Sequence, residues 1–230
     1  MTVEKRIMGS KRTTIAIIGA AGTVGSRIAR RLLDHGYCIR AYDTSRLSLD
    51  VLASGDPRLT VHEDALSAAS TADVVILAIP YEAEQSLALE LGDTLGEKIV
   101  VSLTNPLTPT LDDVVTPHDE SAAEHLATLM PSAKVVKAFN SLSAAAFDVQ
   151  SAGRPIFDTF VASDHRDAAA VIERIIKEIG FRPWYVGGLI LSRTLERMSA
   201  LLISVSMRYR LKGALGWRVE QVQPEDHSDV

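Results

Sequence analysis

Residues 13–46 read TTIAIIGAAGTVGSRIARRLLDHGYCIRAYDTSR, and the order of signals in this stretch decides the fold. Thr13–Ile18 is short, apolar and rich in β-branched residues, as a strand buried on both faces must be. A turn carrying Gly19, Gly22 and Gly25 follows, then a helical stretch from about Thr23 to His35, closed by Gly36. Cys38–Tyr42 returns to strand composition. In such a turn Gly19 lets the chain leave the strand sharply. Gly22 leaves the backbone open to a pyrophosphate, and Gly25 lets helix and strand pack closely. The amides of Thr23 and Val24 open the helix, where the dipole favours an anion. The spacing, GxxGxxG, is one residue longer than the common GxGxxG. A glycine triplet alone is weak, but its place between a β-branched strand and a helix points to a dinucleotide-binding βαβ unit.

Asp43 ends the second strand, 18 residues after Gly25. A carboxylate there accepts hydrogen bonds from the adenosine ribose and repels a 2′-phosphate, which leans toward NAD. Thr44, Ser45 and Arg46 follow directly and are able to hold a phosphate, so NADP stays open. A simple turn residue leaving a strand is the bland reading of Asp43.

The same alternation continues outward. Helices are expected over Ser45–Ser54, Asp64–Ser70 (capped by Asp64), Tyr81–Leu91, Glu120–Met130 and Arg166–Ile179. Strands are expected at Leu59–His62, Asp73–Ile79, Lys98–Ser102, Lys134–Ala138, Ile156–Ala162 and Trp184–Val186. This predicts an α/β protein: a Rossmann-type, doubly wound, mostly parallel sheet. The loop at about Asn105–Pro117 is long for a compact domain, as functional or mobile loops are. From Leu191 to Tyr209 a stripe of Leu191, Leu195, Met198, Leu202, Val205 and Tyr209, widened by Leu201 and Ile203, predicts a long last helix. That stripe fits a helix packed on the sheet and a helix facing a second subunit equally well. The expected organisation is a flexible segment over residues 1–12, one domain over 13–218, and a disordered acidic tail over 219–230.

At 47% hydrophobic and 23% charged residues, the chain has the material for a core, which excludes wholesale disorder. A net charge of −5 argues against a nucleic-acid partner. No apolar run approaches the roughly 20 residues that span a bilayer, and the first residues lack a signal peptide's apolar stretch. One cysteine, Cys38, excludes a disulfide framework and a thiolate cluster, and suits the cytoplasm. His118 and His125, with Asp119, Glu120 and Glu124 nearby, read as a solvated acidic helix rather than a metal site.

Ligands of such sheets lie beyond the carboxyl ends of the strands. There the sequence places Ala78-Ile79-Pro80-Tyr81, Asn105-Pro106 and Ala138-Phe139-Asn140-Ser141. Asn105 and Asn140 are able to hold a carboxamide or a substrate. Should the acceptor be an imine or carbonyl, a proton donor is needed, and Tyr81, His118 and Ser141 are the candidates beside Asn140. A module that binds NAD(P) without turnover is the non-catalytic alternative, and a flavin is a further possible acceptor. Hydroxyacid dehydrogenases are set aside, because one long helix and a tail cannot form their helical substrate domain.

The segments IIGAAGTVG, ILAIPYEAE, EKIVVSLTNPL, ESAAEHLA, KVVKAFNSLSA and LSRTLERMSALL resemble the NADP-dependent coenzyme F420 (deazaflavin) oxidoreductase family, and also the related reductase domain of membrane ferric reductases. The resemblance implies that Gly19, Ala20, Ala21, Gly22, Thr23, Val24 and Gly25 cradle the dinucleotide phosphates. It implies that Ala78, Ile79 and Pro80 face the nicotinamide side, as do Ala138, Phe139 and Asn140. It further implies direct hydride transfer between nicotinamide and deazaflavin, with F420 as the small-molecule co-substrate, and a homodimer. Asp43 departs from the family's pattern, in which NADP users carry a small polar or basic pair.

Overall fold

In the computed structural model, residues 13–53, 55–149 and 157–221 are described. The segments expected to be flexible at residues 1–12 and disordered at 222–230 lie outside them. Eight described strands form one sheet: β1 (Thr14–Ile18), β2 (Cys38–Tyr42), β3 (Leu59–Val61), β4 (Val74–Leu77), β5 (Ile99–Ser102), β6 (Lys134–Lys137), β7 (Asp158–Ala162) and β8 (Arg182–Gly187). Their order is β3-β2-β1-β4-β5-β6-β7-β8. The first six are parallel in the Rossmann order, and β7 joins β6 antiparallel through Lys137 and Ala162.

Alternate residues of β1 face opposite layers. Ile15 and Ile17 belong to one apolar cluster with Ile28, Leu32, Ile172 and Ile176, whereas Ala16 and Ile18 belong to the cluster on the other face with Ala68, Ala69, Leu91 and Leu126. Both faces are covered, which is why the strand is apolar throughout. The first layer holds α1 (Gly25–Asp34) and α6 (Arg166–Glu178); the second holds α3 (Ala65–Ser70), α4 (Tyr81–Leu91) and α5 (Ala122–Leu129). The short helix α2 (Arg46–Ala53) follows β2. Asp64 caps α3 as expected, its Oδ1 accepting the Ser67 amide at 2.6 Å.

The last helix, α7 (Ser192–Tyr209), follows the stripe's extent but not its orientation along its whole length. It buries Ser192, Leu195, Glu196, Ser199 and Ala200. Leu201, Met207 and Tyr209 lie outside, at 52%, 60% and 69% exposure. The helix therefore turns a small and polar face to the fold and leaves large apolar groups uncovered. Arg210, in the left-handed conformation, ends it. The chain then comes back over the sheet. Ser143 and Leu215 exchange hydrogen bonds, and Asp158 accepts the Val219 amide at 2.6 Å while its own amide donates to the Trp217 carbonyl. The ordered contacts thus reach Val219, the residue at which a tail was expected to begin.

Candidate active site

The strand order reverses between β1 and β4, and the glycine turn sits at that point. The Tyr42 carbonyl accepts the amides of Gly19 and Ala20 at 2.9 and 3.1 Å, tying the turn to the end of β2. Gly19 has a φ of +87°, and a Cβ on it would stand 2.4 Å from the Ala78 carbonyl oxygen. A Cβ on Gly25 would stand 2.1 Å from the Gly19 carbonyl oxygen, so backbone meets backbone where α1 begins. The first turn of α1 carries no side-chain cap and no acidic residue, which leaves its dipole open to an anion. Thr23 is exposed there.

Two adjoining hollows follow the carboxyl ends of the strands. The outer groove, about 410 Å³, runs past Gly19, Gly22, Tyr42, Asp43, Thr44, Ala78, Ile79 and Pro80. Its far wall is α4, through Ala83, Ser86, Leu87 and Glu90. Sequence reading missed these four, although their spacing is one helical face starting at a strand end. The inner pocket, about 240 Å³, shares Ala78, Ile79 and Pro80 and adds Val24, Leu103, Thr104, Asn105, Leu107, Phe139, Asn140 and Leu142. None of its lining side chains is ionisable.

Asn105 and Asn140 form a reciprocal pair. The Asn140 Nδ2 donates to Asn105 Oδ1 at 2.9 Å and to the Leu195 carbonyl at 2.8 Å; the Asn105 Nδ2 donates to the Asn140 carbonyl at 3.0 Å. Asn140 Oδ1 and Ser141 Oγ are buried without a partner. Phe139 holds a φ of +64°, a strained conformation for a side chain with a Cβ, and its ring packs on Phe147 at 6.0 Å. The same two asparagines and Leu142 also line a third hollow of about 310 Å³, which continues to Ser199, Leu202 and Leu215.

Behind the inner pocket lies a buried ionic cluster whose members, far apart in the chain, carry no local pattern that marks them. Lys137 at the end of β6 donates to Glu196 of α7 at 2.8 Å and to the Thr104 carbonyl. Glu196 also accepts the Ala122 and Ala123 amides at the start of α5. The Thr104 hydroxyl stands 2.7 Å from Glu84 Oε2. Burial pushes the Glu84 carboxyl up to about 7, against the opposing pull of Lys137 and the Thr104 hydrogen bond.

A family model described as NADP oxidoreductase coenzyme F420-dependent matches residues 14–106, the turn, the groove and β5. The F420-dependent NADP reductase of Methanocaldococcus jannaschii is 30% identical over 223 residues, covering 91% of this chain and 99% of that one. This chain belongs to the coenzyme F420-dependent NADP oxidoreductase family. Metalloreductase STEAP3 of Rattus norvegicus is 28% identical over 191 residues, 82% of this chain and 37% of the relative. A solved structure from Arthrobacter sp. FB24 superposes with a TM-score of 0.73 at 22% identity, covering 85% of this chain and 94% of that one, a likeness of fold.

Within this family member, the expected site residues do not all converge. Gly19, Gly22, Val24, Asp43, Thr44, Ala78, Ile79, Pro80, Asn105, Phe139 and Asn140 line the two hollows. Ala20, Pro106 and Ala138 are buried beneath them. Ser141 is buried to one side, and His118 is exposed in the turn before α5. The Tyr81 hydroxyl meets His125 Nδ1 at 3.4 Å, and burial with the fields of Glu120, Glu196, Glu84 and Glu82 raises its pKa. None of Ser141, His118 and Tyr81 is among the residues lining the inner pocket. Asp43 lines the outer groove and is also bound to the backbone beside it. Its Oδ2 accepts the Ala21 amide at 3.0 Å and its Oδ1 the Ser45 amide at 2.9 Å, so the carboxylate clamps the glycine turn. Arg46 is paired with Glu63 and Asp50 at the rim.

Proposed function

We propose that this chain transfers hydride between NADP(H) and the deazaflavin coenzyme F420. The observation that carries the reading is the inner pocket: its lining is apolar and amide-bearing, with no ionisable side chain. Reduction of a carbonyl or imine needs a positioned proton donor, whereas transfer between two flat rings needs stacking, a short path and exclusion of water. The dinucleotide would supply or take the hydride, and the deazaflavin would exchange its accompanying proton with water.

The chain's own part is positioning. The uncapped start of α1 and the turn at Gly19, Gly22 and Gly25 would hold the pyrophosphate. Thr44, Ser45 and Arg46 lie where a 2′-phosphate would reach, once Arg46 leaves its exposed partners. Asn105 and Asn140 would orient a carboxamide, and the hollow beyond them offers room for a second ring system. The relatives are named for NADP, which favours NADP over the NAD toward which Asp43 leans; Asp43 lines the groove and keeps acceptor sites beyond the two backbone amides it holds.

The uncovered Leu201, Met207 and Tyr209 of α7 favour a second copy as the cover, giving a homodimer. We place the protein in the cytoplasm, in line with its free Cys38; no described helix is long and apolar enough to cross a membrane.

Anaerobic loss of the oxidised deazaflavin band on adding NADPH is the expected result, with NADH slower. No change despite dinucleotide binding would transfer the search to other acceptors or to a binding module. Light scattering should return a dimer, and Leu201→Glu a monomer.

A further inference from the structure

Three segments far apart in sequence meet behind the inner pocket: Glu84 in PYEAE, Lys137 in KVVKAFN and Glu196 in LERM. All three side chains are fully buried. They bring two carboxylates to one ammonium. Glu196 already takes the Lys137 charge at 2.8 Å, together with two helix-opening amides. Glu84 is left as the carboxylate without a counter-ion. Its Oε1 makes no hydrogen bond of good geometry, and the buried Ser102 hydroxyl is the one donor besides Thr104 that bears on the carboxyl; that is thin support for an ionised group in a dry site and enough for the carbonyl oxygen of a neutral acid.

The hydrogen count at Thr104 points the same way. Its hydroxyl has one proton and lies near two acceptors, Glu84 Oε2 at 2.7 Å and the Ile79 carbonyl at 3.1 Å. With Glu84 ionised the one Thr104 proton has to be shared between the two acceptors; both contacts are full two-centre hydrogen bonds when Glu84 carries a proton, the acid donating to Thr104 Oγ1 and Thr104 to Ile79. An ionised Glu84 would claim the larger share of that proton and loosen the Ile79 carbonyl. Ile79 lines both the outer groove and the inner pocket.

We propose that Glu84 is the neutral acid when the dinucleotide is bound, and that through Thr104 it fixes the Ile79 carbonyl and the wall shared by the two hollows. Glu84 and Thr104 are then positioning residues for hydride transfer; this rests on the function proposed above. The charged and titratable groups that bear on Glu84 are Lys137 from β6, Glu196 from α7 and Tyr81 on its own helix, whose hydroxyl meets His125 of α5. Burial raises the Glu84 pKa to about 7, so the proton is lost within the working range of pH. An anionic ligand beside it favours the protonated form further, so binding and protonation are linked.

The test is NADPH affinity, by fluorescence titration, for the full chain from about pH 6 to about pH 9. Each variant is read as a ratio to the wild type, which cancels titration of the ligand. Glu84→Gln, which copies the neutral acid, is expected to match the wild type at the acid end and to bind about fivefold tighter than it at the alkaline end. Thr104→Val, which lacks the relay, should bind more weakly throughout and lose the alkaline drop. A carboxyl 13C signal that vanishes in Glu84→Gln should titrate near neutrality in the free wild type. Parallel pH profiles for wild type and Glu84→Gln, or a midpoint in the ordinary carboxylate range, would overturn the assignment alone. Binding of neither dinucleotide by the wild type would overturn the nicotinamide reading and this assignment together.

Discussion

The two halves of the sheet are held together by different means. Around the strands β1 to β4 themselves the interior is apolar, the buried Arg31 of α1 being turned to the Phe147, Val149 and Ile179 carbonyls, and polar side chains act at the edges: Asp43 clamps the glycine turn, Asp64 caps α3, and Asp73 accepts the Thr14 amide at 3.0 Å. Around β5, β6 and α7 the interior itself is polar, with Glu84, Ser102, Thr104, Ser121, Lys137, Asn140 and Glu196 all buried. The first half depends on backbone geometry and apolar packing, which tolerate little bulk and no charge. The second depends on a complete set of partners, where the loss of one member strands the others. The inner pocket lies where the halves meet, between Ala78–Pro80 on one side and Leu103–Asn105 with Phe139–Asn140 on the other.

Substitutions on either side should separate these regimes. The largest effect belongs to Gly25→Val: with the Gly19 carbonyl 2.1 Å from any Cβ, the turn has to move, and dinucleotide binding should vanish in calorimetry. Retained affinity would show that the first half has slack where backbone contact denies it.

Next comes the polar half. Glu196→Gln leaves the Lys137 ammonium buried without a counter-ion and should cost about 3–5 kcal/mol in urea unfolding. Adding Lys137→Met should recover part of that loss, because the stranded charge goes with it. If the double variant were the less stable one, the ion pair would not be the unit that holds β6 to α7.

Glu84 gives a smaller effect that depends on pH. Its pKa rises from an ordinary 4.5 to about 7 on folding, so the folded state binds the proton more tightly. Stability from this group is present below the unfolded value, declines as pH rises through that window, and is flat above it. The full swing is up to about 3 kcal/mol. Glu84→Gln should not follow that decline, so the difference between variant and wild type in melts across the window isolates it. An unchanging difference would remove Glu84 from the titrating groups.

The smallest effect is expected at an edge of the apolar half. Asp64→Ala removes one cap from α3 and should cost about 1 kcal/mol in urea unfolding. A loss as large as that of Glu196→Gln would erase the contrast between the halves.

Sequence reading was most successful where local chemistry and tertiary packing ask for the same thing. The strand cores of β1, β4 and β5, the turn at Gly19–Gly25 and the Asp64 cap are each decided by residues within a few positions of one another. It was least successful where a residue's role depends on a distant partner. The Thr104 hydroxyl and Lys137 carried no local sign of a site. The face of α4 at Ala83, Ser86, Leu87 and Glu90 became a groove wall only once α4 stood beside β1. The left-handed Phe139 has no signature of its own, since such a conformation persists only because its surroundings enforce it.

The doubly wound sheet, its glycine turn and the kinship of the chain are legible in the residues alone, because periodicity and turn chemistry act over short distances. The amides that Asp43 holds, the face of α7 that is buried and the carboxylate that meets Lys137 depend on the assembled fold. Those outcomes depend on desolvation, whose cost for each charge is set by the partners the fold brings to it.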